Sequence, residues 1–426
     1  MPLELTFRNK QTQVFNSAQE ALWYCLENNY HENIPTVIQA MSGTEYQENR
    51  NRALKYAAER NNAEAVKIIC SYNNFTPDDD TAKLILNATV KNEIEIAIDI
   101  LYALGDQKID LEKEKFEGKN MLRIAVEKQS INLKLIKLLI KNGADINQPL
   151  VRNEEITTPL SHIVSLNNTD LLDIFTNPKY FKVNENTGRA ILQAAESNNL
   201  HPAQKIFFAA KTINATINFH KWHVKRKTSL MHAISHNNDD FVDFLMNQDA
   251  RANDKIGTND PTALYIAVCE GYINLVTIIC TSANFVAPGD IGLHILESVK
   301  LNLIIITRQL LQARKSHELS LDFYTFADKT ALRIAVENKN YPLVTLLVSH
   351  GANPNIVRIN DNESPLSYAK KHDHNAYVAI CNSYKFTTPT NESTSKNKKR
   401  PITDTLQKAY VSDKDDDDAL SKKIKL

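Results

Sequence analysis

Along most of the chain the apolar positions recur at helical spacing, in paired runs separated by a short polar break. The first run of a pair has a fixed form. It reads Thr330-Ala331-Leu332-Arg333-Ile334-Ala335-Val336, and returns as Thr262-Ala263-Leu264-Tyr265-Ile266-Ala267-Val268 and as Asn120-Met121-Leu122-Arg123-Ile124-Ala125-Val126. The second run is amphipathic, as in Leu135-Ile136-x-Leu138-Leu139, Phe241-Val242-x-Phe244-Leu245, Leu275-Val276-x-Ile278-Ile279 and Leu343-Val344-x-Leu346-Leu347. Pairs close on turn chemistry, at Asn142-Gly143-Ala144-Asp145-Ile146-Asn147 and again at His350-Gly351-Ala352-Asn353-Pro354-Asn355. The spacing predicts a helix, a break, a second helix and then a hairpin in each unit.

The anchoring aliphatics are Leu22, Leu54, Ile85, Leu122, Leu160, Ile191, Leu230, Leu264, Leu293, Leu332 and Leu366. Their mean step is roughly 34 residues, close to the ~33 of one repeat class. A small residue three positions after the anchor (Ala57, Ala125, Ala194, Ala233, Ala267, Ala335, Ala369) admits the close approach of a neighbouring helix. These units resemble ankyrin repeats, whose pattern runs T-P-L-H-x-A-A, then a second helix, then G-A-D-x-N. The resemblance covers about residues 20–384 and is most specific at Leu122, Leu264, Leu332 and Leu366. It implies an all-α ankyrin-repeat solenoid of about ten to eleven degenerate repeats with connecting hairpins, preceded by an extension at 1–19. Tetratricopeptide units have a similar period but lack the hairpin segment. Glycine is missing from most helix breaks, where Asn61-Asn62 and Asn338 stand instead. Asn tolerates the left-handed conformation that glycine would supply.

Composition narrows the chemistry. With 10 Gly in 426 residues there is no G-x-x-x-x-G-K-[ST] and no G-x-G-x-x-G. The 50 basic and 50 acidic side chains balance, which disfavours a whole-chain polyanion binder, so nucleic acid is not the expected partner. The 5 cysteines are scattered and never form C-x-x-C, which argues against a disulfide scaffold or a cysteine zinc site. No run approaches the ~18 apolar residues that would cross a membrane. Met1–Lys10 lacks the order of a secretory signal, and a reducing, cytoplasmic setting is expected. The repeats leave no room for a catalytic domain, so neither an enzyme, a small-molecule substrate nor a cofactor is expected. The one close histidine pair, His220 and His223, has no recognisable third ligand, and no metal is expected there.

What remains is binding of protein partners, through hairpin tips and the inner face of the array. Two tips stand out. Phe323, Tyr324 and Phe326 place aromatics where a loop should be polar. Trp222, His223, Lys225, Arg226 and Lys227 combine a Trp with a basic cluster. The alternative at the first is that one or two of its rings cover the adjacent helix pair, and at the second that it is a solvated basic loop with a packed Trp. A third tip, Val151-Arg152-Asn153-Glu154-Glu155, is only charged. From residue 385 the apolar pattern stops, and 385–426 reads as a disordered charged tail. Lys396, Lys398, Lys399 and Arg400 form a short basic run of nuclear-localisation type. The block Asp415–Asp418, near a C-terminus with aliphatics at its last positions, resembles the translocation signals of type IV secreted effectors. The array itself resembles Gly-poor ankyrin arrays of intracellular bacteria of the Legionella kind. Together these resemblances imply an effector that binds a host protein in the host cytoplasm or nucleus; the rival expectation is an endogenous cytosolic or nuclear adaptor.

Overall fold

The computed structural model describes residues 2–387, apart from 42–44, 73–74, 153–154, 258–259, 315–319 and 359–361. The described residues form eleven helix pairs in chain order. The first six are α1 (Ala18–Glu27) with α2 (Ile34–Ala40), α3 (Glu45–Glu59) with α4 (Ala63–Ser71), α5 (Thr81–Lys91) with α6 (Ile94–Ala103), α7 (Met121–Glu127) with α8 (Leu133–Lys141), α9 (Pro159–Leu166) with α10 (Thr169–Phe175), and α11 (Thr187–Glu196) with α12 (Leu200–Thr212). The remaining five are α13 (Ser229–Ser235) with α14 (Asp239–Asn247), α15 (Ala263–Cys269) with α16 (Ile273–Thr281), α17 (Ile291–Lys300) with α18 (Ile304–Ala313), α19 (Ala331–Glu337) with α20 (Tyr341–Ser349), and α21 (Pro365–His372) with α22 (His374–Thr387). First helices pack on first helices and second on second, with α12 set less closely to α10 and α14, which it meets through Lys205 with Asp173 and Phe207 with Phe244; two layers result, with one continuous core between them. The eleven anchors fall one to a pair, in each first helix. The seven small alanines are all buried where the layers meet. One anchor is misplaced: Leu293 is 38% exposed, and Ile295, at 1%, fills the position in α17 that Ile85 and Ile191 fill in α5 and α11. Counting back from the break residues Asn92, Asn198 and Asn302 makes the three equivalent.

A hairpin of β1 (Leu3–Thr6) with β2 (Thr12–Phe15) precedes the first pair, and short hairpins connect later ones: β3 (Leu150–Arg152) with β4 (Glu155–Thr157), β5 (His223–Val224) with β6 (Lys227–Thr228), and β7 (Thr325–Phe326) with β8 (Lys329–Thr330). The N-terminal hairpin is part of the array, because Leu5, Phe7 and Phe15 are buried against α1. At the other end α22 continues through Thr387, two residues beyond the position where the apolar pattern stops.

The Thr of the first run is a helix cap. Thr158, Thr228, Thr262 and Thr330 accept the backbone N–H of Ser161, Met231, Tyr265 and Arg333. The asparagine pairs divide two tasks. Asn61, Asn167 and Asn237 are left-handed at φ 57°, 52° and 50°, while Asn62, Asn168 and Asn238 cap the second helix. Their side chains also bond from unit to unit: Asn62 donates to Asn29, Asn199 to Asn167, Asn238 to Asn198 and Asn340 to Asn302. Left-handed Asn costs more than Gly at such a break. It supplies in return an amide that ties one repeat to the next.

A longer period overlies the single repeat. The units of α5, α11 and α17 have first helices of 11, 10 and 10 residues, and no strand is described before them. The next units, those of α7, α13 and α19, have first helices of 7 residues behind a tight hairpin. In the third position, the backbone N–H groups of Leu160, Leu264 and Leu366 donate to Ile146, Ala252 and Pro354 of the preceding unit. The pattern recurs every third unit, so the chain from α5 to α22 is three blocks of three.

Candidate functional site

The two tips singled out in the sequence occupy the same place in successive blocks, with a third hairpin at Phe116–Lys119. Each turns over two residues of positive φ: Glu117 and Gly118 at 50° and 75°, Lys225 and Arg226 at 50° and 56°, Ala327 and Asp328 at 49° and 60°. Such pairs match the right-handed twist of the strands. Because two of the three lack glycine, composition alone does not disclose them.

Below each turn lies a buried apolar residue, Leu111, Phe219 or Leu321. Beside it is an ionisable one. The Glu112 and Asp322 carboxylates accept the backbone N–H groups of Asp145 and Asn353 in the next unit, at 2.9 and 3.0 Å. Burial pushes both carboxyls above the usual range. His220 takes the place in the middle block, its ring 4.3 Å from that of Phe219; burial holds it below the ordinary imidazole value, with Arg251 adding to the effect.

Trp222 and Tyr324 are also equivalent, and both reach across to the unit before. The Trp222 indole N–H donates to the Glu185 carbonyl at 2.8 Å, and the Tyr324 hydroxyl to the Gly289 carbonyl at 3.4 Å. Each ring lies on a glycine of the preceding first helix. A Cβ on Gly188 would stand 2.7 Å from Trp222 Cδ1, and one on Gly292 2.5 Å from Tyr324 Cδ2. In the first block the corresponding residues are Glu114 and Ala82, with no ring and no glycine. Arg189 stacks on Trp222 with its guanidinium carbon 3.5 Å from the ring centroid.

The charges of the middle tip are engaged locally. Lys225 pairs with Glu196 at 2.9 Å, Arg226 with Asp260, and Lys227 donates to the Ser235 hydroxyl at 2.9 Å. His223 is exposed on β5. In the third block Lys329 and Arg333 both bond Glu337; burial would raise that carboxyl, and the two cations hold it below its usual range. The outward apolar residues are Phe323 and Phe326, 48% and 45% exposed, with Phe116 and Val151 on other hairpins. Lys300 lies 4.0 Å above the Phe326 ring. Lys396, Lys398, Lys399, Arg400 and nearly all of the tail lie outside the described residues. Among the described residues no group of three His, Cys, Asp or Glu is placed to hold a metal, and no helix is long and apolar enough to cross a membrane.

Residues 191–288 match the family model for ankyrin repeats (3 copies), and residues 328–359 the model for a single ankyrin repeat. No curated protein matches. Similar solved structures include an ankyrin repeat domain from Acinetobacter baumannii AYE, with 17% identity and TM-score 0.34 over 45% of this chain and 96% of that one. The ankyrin repeat domain of Bcl-3 gives 18% identity and TM-score 0.36 over 53% and 98%, and that of human ASB11 gives 16% and 0.32 over 53% and 98%. At these identities and TM-scores none of them bears on what this chain binds. The family matches fall on units that the repeat pattern and the capping threonines had already marked, and the chain is an ankyrin-repeat solenoid.

Proposed function

We propose that the array is a protein-binding module and that its third-block hairpin contacts the partner. The reading is carried by Phe323 and Phe326, two aromatics turned to solvent on a hairpin whose third ring, Tyr324, is taken up by the seam. Exposed rings on a rigid turn are the kind of anchor that supplies binding energy at small entropic cost. The test is affinity capture by the full chain and by the Phe323→Ala/Phe326→Ala variant, read by quantitative mass spectrometry. Proteins held by the first and lost from the second, with an unchanged melting curve, support the reading. Identical capture profiles overturn it.

A narrower reading makes the module an effector delivered into a host cell, and rests on the acidic block Asp415–Asp418 and the aliphatic end of the chain. A translocation reporter fused to the last thirty residues decides it. A reporter that those residues do not deliver removes this reading and leaves the adaptor with a basic localisation run.

A further inference from the structure

Five consecutive second helices carry charge of alternating sign: α6 has Glu95 and Asp99 and no basic residue, and the four that follow make a pattern that reverses on itself. Helix α8 has three lysines (Lys134, Lys137, Lys141), α10 two aspartates (Asp170, Asp173), α12 two lysines (Lys205, Lys211), and α14 three aspartates (Asp239, Asp240, Asp243). None of the four carries a charge of the opposite sign. Alternation of this kind could serve lateral packing, yet among the described residues only Lys205 and Asp173 make an ion pair within the set. Lys134, Lys137, Lys141, Asp170, Lys211, Asp240 and Asp243 are exposed.

The same face has a knob and a groove. Phe208 of α12 is 71% exposed, more than any other large apolar side chain described. Between α8 and α10 runs a groove of about 760 Å³ lined by Tyr102, Leu133, Leu138, Ile174 and Tyr180 with the lysines along one wall. One of its walls is α10, at seven residues two shorter than its counterpart α16. Counted from the helix caps, Phe208 stands at the level of Asn177, beside Ile174 in the groove wall.

We propose that this face binds a second copy of the chain about a two-fold axis parallel to the helices, between α10 and α12. That operation sets α8 against α14 of the other copy and α10 against α12, plus against minus at all four positions. For α8 against α14 the levels also agree, since Lys134 and Lys137 occupy in α8 the positions of Asp240 and Asp243 in α14. A two-fold axis across the helices would instead oppose α8 to α8, lysine on lysine, and a parallel axis between α8 and α10, which also matches charge, would face Phe208 to α6 and not to the groove. In the chosen arrangement Phe208 of each copy enters the groove of the other, giving the charged contact an apolar centre.

Sedimentation velocity of the full chain over a concentration series tests this. The wild type is expected to dimerise, more weakly as salt rises. Lys134→Glu/Lys137→Glu and Asp240→Lys/Asp243→Lys should each raise the dimer dissociation constant at least about tenfold, and mixing the two should restore association. Monomer at every wild-type concentration up to roughly 0.2 mM overturns the proposal. So does a dimer indifferent to either swap, or swapped chains that do not recombine. If a charge-swapped chain does not fold, Phe208→Ala decides: a dimer it fails to weaken excludes this face.

Discussion

The Trp222 and Tyr324 hairpins are one structure built twice with different surroundings. Both have a glycine-free two-residue turn, a buried apolar residue at the base and a ring reaching back over the preceding unit. The middle hairpin commits its single large ring to the seam and surrounds it with local ion pairs. The third-block hairpin commits one ring and turns two others outward. At the one hairpin position that faces the seam, the residue therefore matches the residue one repeat upstream. Where Gly188 or Gly292 opens the helix surface, the ring lies down on it. Where Ala82 stands, the hairpin carries Glu114 instead.

The sharpest way to break this pairing is to close the opening. On Gly188 a Cβ meets the Asn218 carbonyl oxygen at 2.5 Å as well as the Trp222 ring, and backbone cannot step aside as a side chain can. Gly188→Ala should cost about 2–3 kcal/mol, the upper part of the range for overpacking. On Gly292 the two close atoms, both within 3 Å, belong to the Tyr324 ring, so Gly292→Ala should cost less. Urea unfolding of the two variants gives the order. A Gly188→Ala chain as stable as wild type would show that the seam is loose.

Removing the rings comes next. Trp222→Ala should cost about 2 kcal/mol and Tyr324→Ala about 1, below the loss for a fully buried aromatic because both rings are only half-buried. The cycle with glycine sharpens the claim. Once Tyr324→Ala has vacated the surface, adding Gly292→Ala should be neutral or stabilising, a non-additivity expected only of residues in contact. Additive losses in that cycle would separate the ring from the glycine.

Much of this was legible in the sequence and some was not, for reasons of range. The repeat, its anchors and the turn segments are local patterns, and they place every first helix. The anchor at Leu293 fails because Leu293, Ile295 and Leu296 crowd one helix, and only their register with the break residue Asn302 selects Ile295. That one or two rings cover the adjacent helix pair was a visible alternative at the Phe323–Phe326 tip, and a packed Trp at the other. Sorting Tyr324 from Phe323 and Phe326 needs Gly292, thirty-two residues upstream, and nothing local ties the two together. The three-unit period and the reversing charges need all the units aligned, which a degenerate single-repeat pattern conceals.

The equivalent ionisable residues give opposite dependences on pH. The buried Asp322 carboxyl has its value raised in the fold, so its contribution is present below the unfolded value of 3.8 and fades as pH rises through the folded one. His220, lowered by burial, contributes above its ordinary 6.5 and loses that contribution as pH falls through the folded value. His220→Gln should therefore lessen the loss of stability on acidification below 6.5. Asp322→Asn, which keeps an acceptor for the Asn353 N–H, should lessen the loss on raising pH above 3.8. Denaturant midpoints over a pH series separate the two, and slopes of the same sign in both variants would contradict the assignment.

The smallest effect belongs to the outward rings. Phe326 touches Lys300, and an exposed cation–ring contact contributes about 0.5 kcal/mol, so Phe326→Ala should lose no more than that. Phe323 meets Tyr324 edge-on with centroids 5.1 Å apart, and its loss should be felt chiefly through that ring. The order expected is Tyr324→Ala, then Phe326→Ala, then Phe323→Ala, measured as shifts of the urea midpoint at constant slope. If Phe323→Ala or Phe326→Ala costs as much as Tyr324→Ala, all three rings serve the seam. The third-block hairpin then differs from the middle one only in how many aromatics it uses to close the same joint.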